Sequence, residues 1–308
     1  MLKYVLKRLG YILVTLWVIV TCTFFMMKNL PGTPFDAERF SIMTPQQQER
    51  VLEMYGLNDS LPMQYVKYIK NMLKGDLGTS FTYVNQDVSK VITGRLGPSA
   101  LIGIQAVLIG LAIGLILGIL AAWKHNSGID YFTMILAVLG VSVPNFVAAA
   151  LLQYYIGLKW GVLPVGFWTG WNCSVLPSIA LSFSATAMVA RFMRTEMLDV
   201  LDQDYIVTAR AKGLSQMKVL MRHAVRNSIL PVVTILGPIV VNLMTGSLAV
   251  ENIFSIPGIG SLFVDCIKAN DYPVIMGITI FYAAFYMLVV LLVDLAYSLI
   301  DPRIRLAK

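Results

Sequence analysis

DYIVTARAKGLSQMKVLMRHAVRNSILP, residues 204–231, is a polar hairpin held between two long apolar runs. Asp204 is placed to cap the free amides of a helix starting at Tyr205, and Gly213 supplies the left-handed residue that ends it about two turns later. Ser215 then opens a second helix, which carries Lys218, Arg222, His223 and Arg226 toward Pro231 and the next apolar run. Two caps and a short turn predict a compact knob. Ala209 and Ala211 are small enough to let a partner approach closely, Arg210 and Lys212 offer polar rim contacts, and Leu214 follows the turn. The knob reads either as a docking surface or as an ordinary basic surface helix.

Outward from the knob the chain is apolar. Of its 308 residues 57% are hydrophobic and 13% charged, and the mean hydropathy is +0.72. Too few polar groups remain to cover a soluble globule, so the expected class is an all-α integral membrane protein. Six segments approach the roughly 20 helical residues that a hydrocarbon layer requires: 9–27, 99–123, 129–158, 175–190, 228–250 and 274–300. The third is long enough to break, and Pro144 within SVPNF is the expected place. The fourth is short, as suits a helix shielded by its neighbours.

Basic residues orient the spans. Lys3, Lys7 and Arg8 precede the first span, Lys124 follows the second, and Arg303, Arg305 and Lys308 lie beyond the last. Arg191, Arg194, Arg210, Lys212, Lys218, Arg222 and Arg226 crowd the loop between spans four and five, against only Lys159 and Lys268 in the short loops opposite. Both termini and the 191–227 hairpin are therefore expected in the cytoplasm. The organisation expected is a first flank and span at 1–28, an extracytoplasmic cap at 29–98 and a five-span core at 99–308. The first apolar run reads as a retained anchor, because its core is longer than a typical signal and NLPGTPF holds no A-x-A site.

The cap has its own signals. Thr44-Pro45-Gln46-Gln47 reads as a capping box before a helix at 46–55, Ser60 as the cap of another ending at Gly75, and GDLGTSF at 75–81 as a turn-rich return to the membrane. Tyr55, Leu57, Tyr65, Ile69 and Leu73 give this loop something apolar to bury.

Chemistry is sparse. The net charge of +7 comes from residues beside apolar spans and not interleaved with aromatics, which points to anionic lipid and away from nucleic acid. No Cys/His set suggests a metal, and a disulfide between Cys173 and Cys266 is only formally open. No nucleophile–base pair is visible, which argues against an enzyme. In the central parts of the spans Asp294 is the acid, toward the cytoplasmic end of the last one, read as structural or as a proton relay. That scarcity also argues against an ion-coupled carrier, and without a G-x-x-x-x-G-K-[ST] cradle the chain is not expected to hydrolyse nucleotide. Gly110, Gly114 and Gly118 form a small-residue stripe for packing within the subunit or against another. In ENIFSIPGIGSLF, 251–263, Pro257, Gly258 and Gly260 force a turn near the outer mouth, either re-entrant or a tight connection. Asn145, Gln153 and Asn242 are polar groups in spans, open to reading as pathway lining or as helix-to-helix glue.

Taken together, the residues resemble the permease subunits of binding-protein-dependent ABC importers, specifically the B-type subunits of the dipeptide, oligopeptide and nickel group, and are closest to oligopeptide permeases. The motifs are LPGTPF at 30–35, the YGLNDSLPMQYVKYIKNMLKGDLGTSF loop, SVPNF at 142–146, RTEMLDVLDQDYIVTARAKGLS at 194–215, HAVRN at 223–227, the IPGIG turn, DYPVIMG at 271–277 and VDLAYSLIDPRIR near the C-terminus. Together they cover nearly the whole chain.

The resemblance implies a type I importer permease fold of six transmembrane helices in a bacterial cell membrane. It also implies a homologous C-type permease, two ATPase subunits that carry ATP and Mg, and an extracytoplasmic peptide-binding protein. No cofactor is expected on this chain. The hairpin occupies the place of the family's EAA loop, which docks on the ATPase; it departs from the generic pattern in having Val207 and Thr208 before Ala209. The cargo implied is short peptides, with nickel or dipeptide import as the alternative. An ATP-independent channel or secondary carrier is the alternative of another class.

Overall fold

The computed structural model describes residues 2–29, 40, 42–54, 56–83 and 86–300. LPGTPF, Tyr55, Arg303, Arg305 and Lys308 lie outside them, as do the side chains of Lys3 and Asp294. Among the described residues the structure is helical, with one isolated antiparallel bridge between Thr79 and Asp87.

Helix α1 runs Leu2–Lys28, α2 Pro45–Met54, α3 Leu61–Leu73 and α4 Val88–Trp123; α5, Gly128–Ser142, is followed by α6, Asn145–Leu152. α7 covers Val175–Leu201, α8 Asp204–Ala211, α9 Arg226–Met244, α10 Leu248–Ile253, α11 Ile259–Lys268 and α12 Tyr272–Ile300. Among the described residues, five helical stretches are long and apolar enough to cross a membrane, and the bent pair Gly128–Ser142 and Asn145–Lys159, taken as one span, makes a sixth. Its two halves meet at 100°, at the expected place. Val143 is forced extended by the following proline (φ −81°, ψ 117°) and Pro144 opens the next helix.

Two spans are longer than hydropathy suggests. α4 begins at Val88 and carries Pro98 inside it. α7 continues past residue 190 to Leu201, so 191–201 is helix and not loop. Arg191 and Arg194 end the hydropathy signal there, but Met193 and Met197 keep the one-turn spacing and are fully buried, so the helix goes on.

The chain divides into two compact units. One comprises Leu2–Gly97 with Leu262–Ala284. In it α3 packs on α1 through a Thr21–Tyr65 hydroxyl hydrogen bond of 2.7 Å and an edge-on Phe24–Tyr65 contact of 5.4 Å. The capping box closes as expected: the Thr44 amide donates to Gln47 Oε1 (2.9 Å) and the Gln47 amide to Thr44 Oγ1 (3.4 Å). Ser60 holds the N-cap position of α3, yet its hydroxyl makes no capping bond. The 75–83 return is tied down by buried Asp271, which accepts from the Ser80 hydroxyl and from the Phe81 and Thr82 amides at 3.1 Å. Nearby, burial pushes the Cys266 thiol up to about 12, helped by Asp271 and Asp265.

The other unit comprises Pro98–Ser261 with the segment from Phe285 on. Its core forms around α7, with Leu176, Ala180, Leu181, Val189, Met193 and Met197 in one buried cluster. The glycine stripe of α4 packs here. A Cβ on Gly110 would lie 2.7 Å from Ala185 Cβ, on Gly114 2.7 Å from Val189 Cβ, and on Gly118 2.6 Å from the Ala190 carbonyl. The stripe therefore serves packing within the subunit. Cys22, Cys173 and Cys266 are free thiols.

Candidate functional site

The hairpin is built as two arms around a small core of its own. α7 ends at Leu201, Gln203 turns extended (φ −78°, ψ 147°), and α8 begins at Asp204. Asp204 is thus the first helical residue and not the cap: Gln203 holds that position and no side chain bonds the free amides. The carboxylate instead places negative charge in the first turn, where the helix dipole favours it by about 0.3–1 kcal/mol.

The far end closes on Gly213, whose φ is +76°. The Gly213 amide donates to the Arg210 carbonyl (2.9 Å) and the Leu214 amide to the Ala209 carbonyl (3.4 Å), the paired bonds of a Schellman cap. Ser215 sits at the start of the second arm in extended conformation, without a side-chain capping bond. That arm is not a separate helix. Its first turn, Gln216–Lys218, passes through a π-helical segment, Val219–Val225, straight into α9.

The two faces of the hairpin differ. Ile206, Ala209 and Val219 form a buried cluster, with Val200 and Leu201 packed against it. Ala209, at 6% exposure, faces this interior, so its small size lets the two arms close on each other rather than admitting a partner. On the outside, Val207 (58%), Met217 (51%) and Met221 (52%) are exposed together with Tyr205 and Leu214. Arg210, Ala211 and Lys212 are exposed beside them. The Asn227 side-chain amide donates to the Tyr205 hydroxyl at 3.0 Å, tying the outer faces of the two arms.

The base is anchored in the unit's core. Leu220 and Ala224 share the buried cluster of Met193 and Met197, and the Ser228 hydroxyl donates to the Glu196 carbonyl on α7 (3.1 Å). Displacing the hairpin must therefore displace α7 and α9, since close-packed interiors transmit strain.

The segment 246–261 is a second built feature. α10 and the start of α11 fold around Glu251, which is 2% exposed. Its Oε1 accepts from the Ser99 hydroxyl (2.7 Å) and its Oε2 from the Ser261 amide (2.8 Å), while Ser99 Oγ accepts from the Ile259 amide (2.8 Å). Gly258 is glycine because a Cβ there would stand 2.3 Å from the carboxyl carbon. Pro257 lies in the turn between α10 and α11, but Gly260 belongs to α11, so only part of the expected turn is a turn. Phe254, Ile256 and Ile259 are buried.

Of the polar span residues, Asn145 is half-buried at the break and Asn242 is exposed on α9. Gln153 is committed to backbone: its amide donates to the Val165 carbonyl (2.5 Å) and to the Ile253 carbonyl (2.7 Å). No local sequence signal marks Glu251, the Asp130–Arg194 pair (2.5 Å) or the apolar outer face of the hairpin. Each carboxylate sits at the edge of an apolar run, where a lone acid reads as a boundary marker, and the exposed face depends on the angle at which the two arms pack.

Known proteins resemble this chain along its length. Residues 114–306 match the family described as binding-protein-dependent transport system inner membrane component, and residues 1–96 match the N-terminal family of the same membrane components. The dipeptide transport system permease protein DppB of Lactococcus lactis subsp. cremoris is 46% identical over 306 residues, covering 99% of this chain and 100% of that protein. DppB of Bacillus subtilis is 43% identical, covering 100% of this chain and 99% of its own. The oligopeptide transport system permease protein OppB of Escherichia coli is 38% identical, covering 99% and 100%. A crystal structure of an amino acid ABC transporter with histidines superposes with a TM-score of 0.52 at 19% identity, over 70% of this chain and 94% of that one. That last likeness is one of fold.

Proposed function

Because this chain belongs to the family of binding-protein-dependent transport system inner membrane components, we propose that it is the B-type permease subunit of an ATP-driven importer of short peptides. It is an integral inner-membrane subunit and performs no covalent chemistry. The cargo assignment draws on the full-length relatives, which carry dipeptide or oligopeptide in their names. In this reading a homologous C-type permease completes the pathway, and an extracytoplasmic binding protein delivers the peptide. Two ATPase subunits hold the ATP and Mg, and both termini and the hairpin face them in the cytoplasm.

One observation carries the docking assignment: the hairpin turns Ile206, Ala209 and Val219 inward and exposes Val207, Met217 and Met221. Large apolar side chains left exposed on an otherwise polar hairpin point to an interaction site. The ATPase is its proposed occupant, with Arg210 and Lys212 at the rim. ATP binding draws the two permease hairpins together and turns the pathway outward; hydrolysis returns it inward. The Schellman cap and the buried cluster keep the hairpin stiff enough for the push to reach α7 and α9.

The test is a pull-down of the assembled complex in mild detergent. Met221→Asp puts an unpaired charge on the exposed apolar face and leaves the buried cluster untouched. We expect ATPase co-purification to fall at least tenfold, equivalent to about 1.4 kcal/mol or more of lost contact, while the permease pair stays intact. Full retention of the ATPase would remove this face from the contact.

A further inference from the structure

The hairpin is not the only point at which α7 is gripped. Asp130, two residues into α5, is 2% exposed at its side chain, and Arg194 of α7, 20% exposed, meets it with a fork: Nε donates to Oδ1 at 2.5 Å and Nη2 to Oδ2 at 2.8 Å. The Asn126 amide donates to Oδ2 (3.0 Å), and His125 Nδ1 lies 3.1 Å from the same oxygen and 3.2 Å from Arg194 Nη2. Asn126 takes a left-handed φ of 57°, so the turn between α4 and α5 is shaped around the carboxylate. Such a paired, saturated carboxylate admits few alternative geometries.

Its position gives the pair a mechanical meaning. Arg194 lies about two turns before the end of α7 at Leu201, where the hairpin begins. Farther along the same helices, a Cβ on Gly140 of α5 would be 3.0 Å from both the Phe183 carbonyl and Ala187 Cβ. α5 is thus held to α7 at both ends. It then bends by 100° into the second half of the broken span, whose Gln153 side chain holds the Val165 and Ile253 carbonyls. A continuous chain of contacts runs from the hairpin through α7 and α5 to the segment that ends α10.

We infer that Asp130 and Arg194 are positioning residues for transport: their ion pair joins the broken span to α7, so that displacement of the docking hairpin reaches the α6–α10 contact. The inference rests on the reading of the hairpin as an ATPase-docking element. Their role in this inference is positional: each acts by making α5 follow α7.

The full complex, reconstituted in vesicles with its binding protein, tests this with Asp130→Asn, which keeps the shape and removes the charge, and Arg194→Lys, which keeps the charge and removes the fork. The readout is labelled dipeptide imported per ATP hydrolysed, beside basal hydrolysis and ATPase content. We expect both variants to hold their ATPases and to hydrolyse ATP within about twofold of wild type, while import per ATP falls about tenfold in Asp130→Asn and about threefold in Arg194→Lys. An unchanged ratio in assembled variants overturns the inference, as does parallel loss of assembly, hydrolysis and import in both variants, which would make the pair a fold element alone. If Asp130→Asn does not assemble, Arg194→Lys decides by the same ratio. A wild-type complex that imports nothing on ATP overturns the transport reading itself, and the inference with it; a working wild type beside unaffected variants overturns the inference alone.

Discussion

Gly213 is the residue on which the hairpin turns. At φ +76° a side chain is strained whatever the space around it, and here the space is open, with nothing within 4 Å of where a Cβ would stand. The cost of substitution is therefore conformational: about 1–2 kcal/mol for an ordinary L residue, more for a β-branched one, little for asparagine. Gly213→Val is expected to loosen the Schellman cap and lower peptide import per ATP, with the protein still inserted, whereas Gly213→Asn keeps near-normal coupling. Import and ATPase assays on the two variants side by side check this; equal behaviour would show that the left-handed turn is not what stiffens the knob. Gly213 was legible because few other residues end a helix in this way. Asp204 was misread by one position, since an acid at the cap and an acid in the first turn look alike in sequence. Ala209 was assigned to the wrong face, because smallness alone does not say which neighbour comes close.

Elements were legible where periodicity and breakers agree. The break at Pro144 and the capping box at Thr44 follow from local stereochemistry and appear as expected. Helix ends were less legible where hydropathy and helix-forming tendency part: α7 outruns its apolar stretch by the eleven residues from 191 to 201 because Met193 and Met197 are still buried. The glycine stripe was ambiguous in sequence, since the same spacing serves contacts inside a subunit and between subunits, and the structure assigns it to the α4–α7 interface. Gly114→Val should therefore act on the subunit's own stability. Its Cβ would stand 2.7 Å from Val189 Cβ and 2.9 Å from the Thr186 carbonyl, contacts only a backbone shift relieves, for a loss of about 1–3 kcal/mol. Thermal unfolding of the purified complex in detergent measures this. An unchanged midpoint with a changed subunit composition would point to an interface instead.

At the scale of the whole molecule, the family was legible in sequence because its motifs are spread across nearly the entire chain, and matches to 1–96 and 114–306 bear that out. Composition gave a further expectation: without a nucleotide cradle in the sequence, the proposed account draws its energy from partner ATPases. The proposed account makes the hairpin the point of entry for that energy, a stiff knob with an apolar outer face whose base is continuous with the core. Peptide accumulation in sealed vesicles tests it most directly, comparing this chain alone with the chain joined to its C-type partner, both ATPases and the binding protein. The account predicts accumulation only in the complete assembly and only while ATP is hydrolysed; peptide movement through this chain alone, without nucleotide, would contradict it.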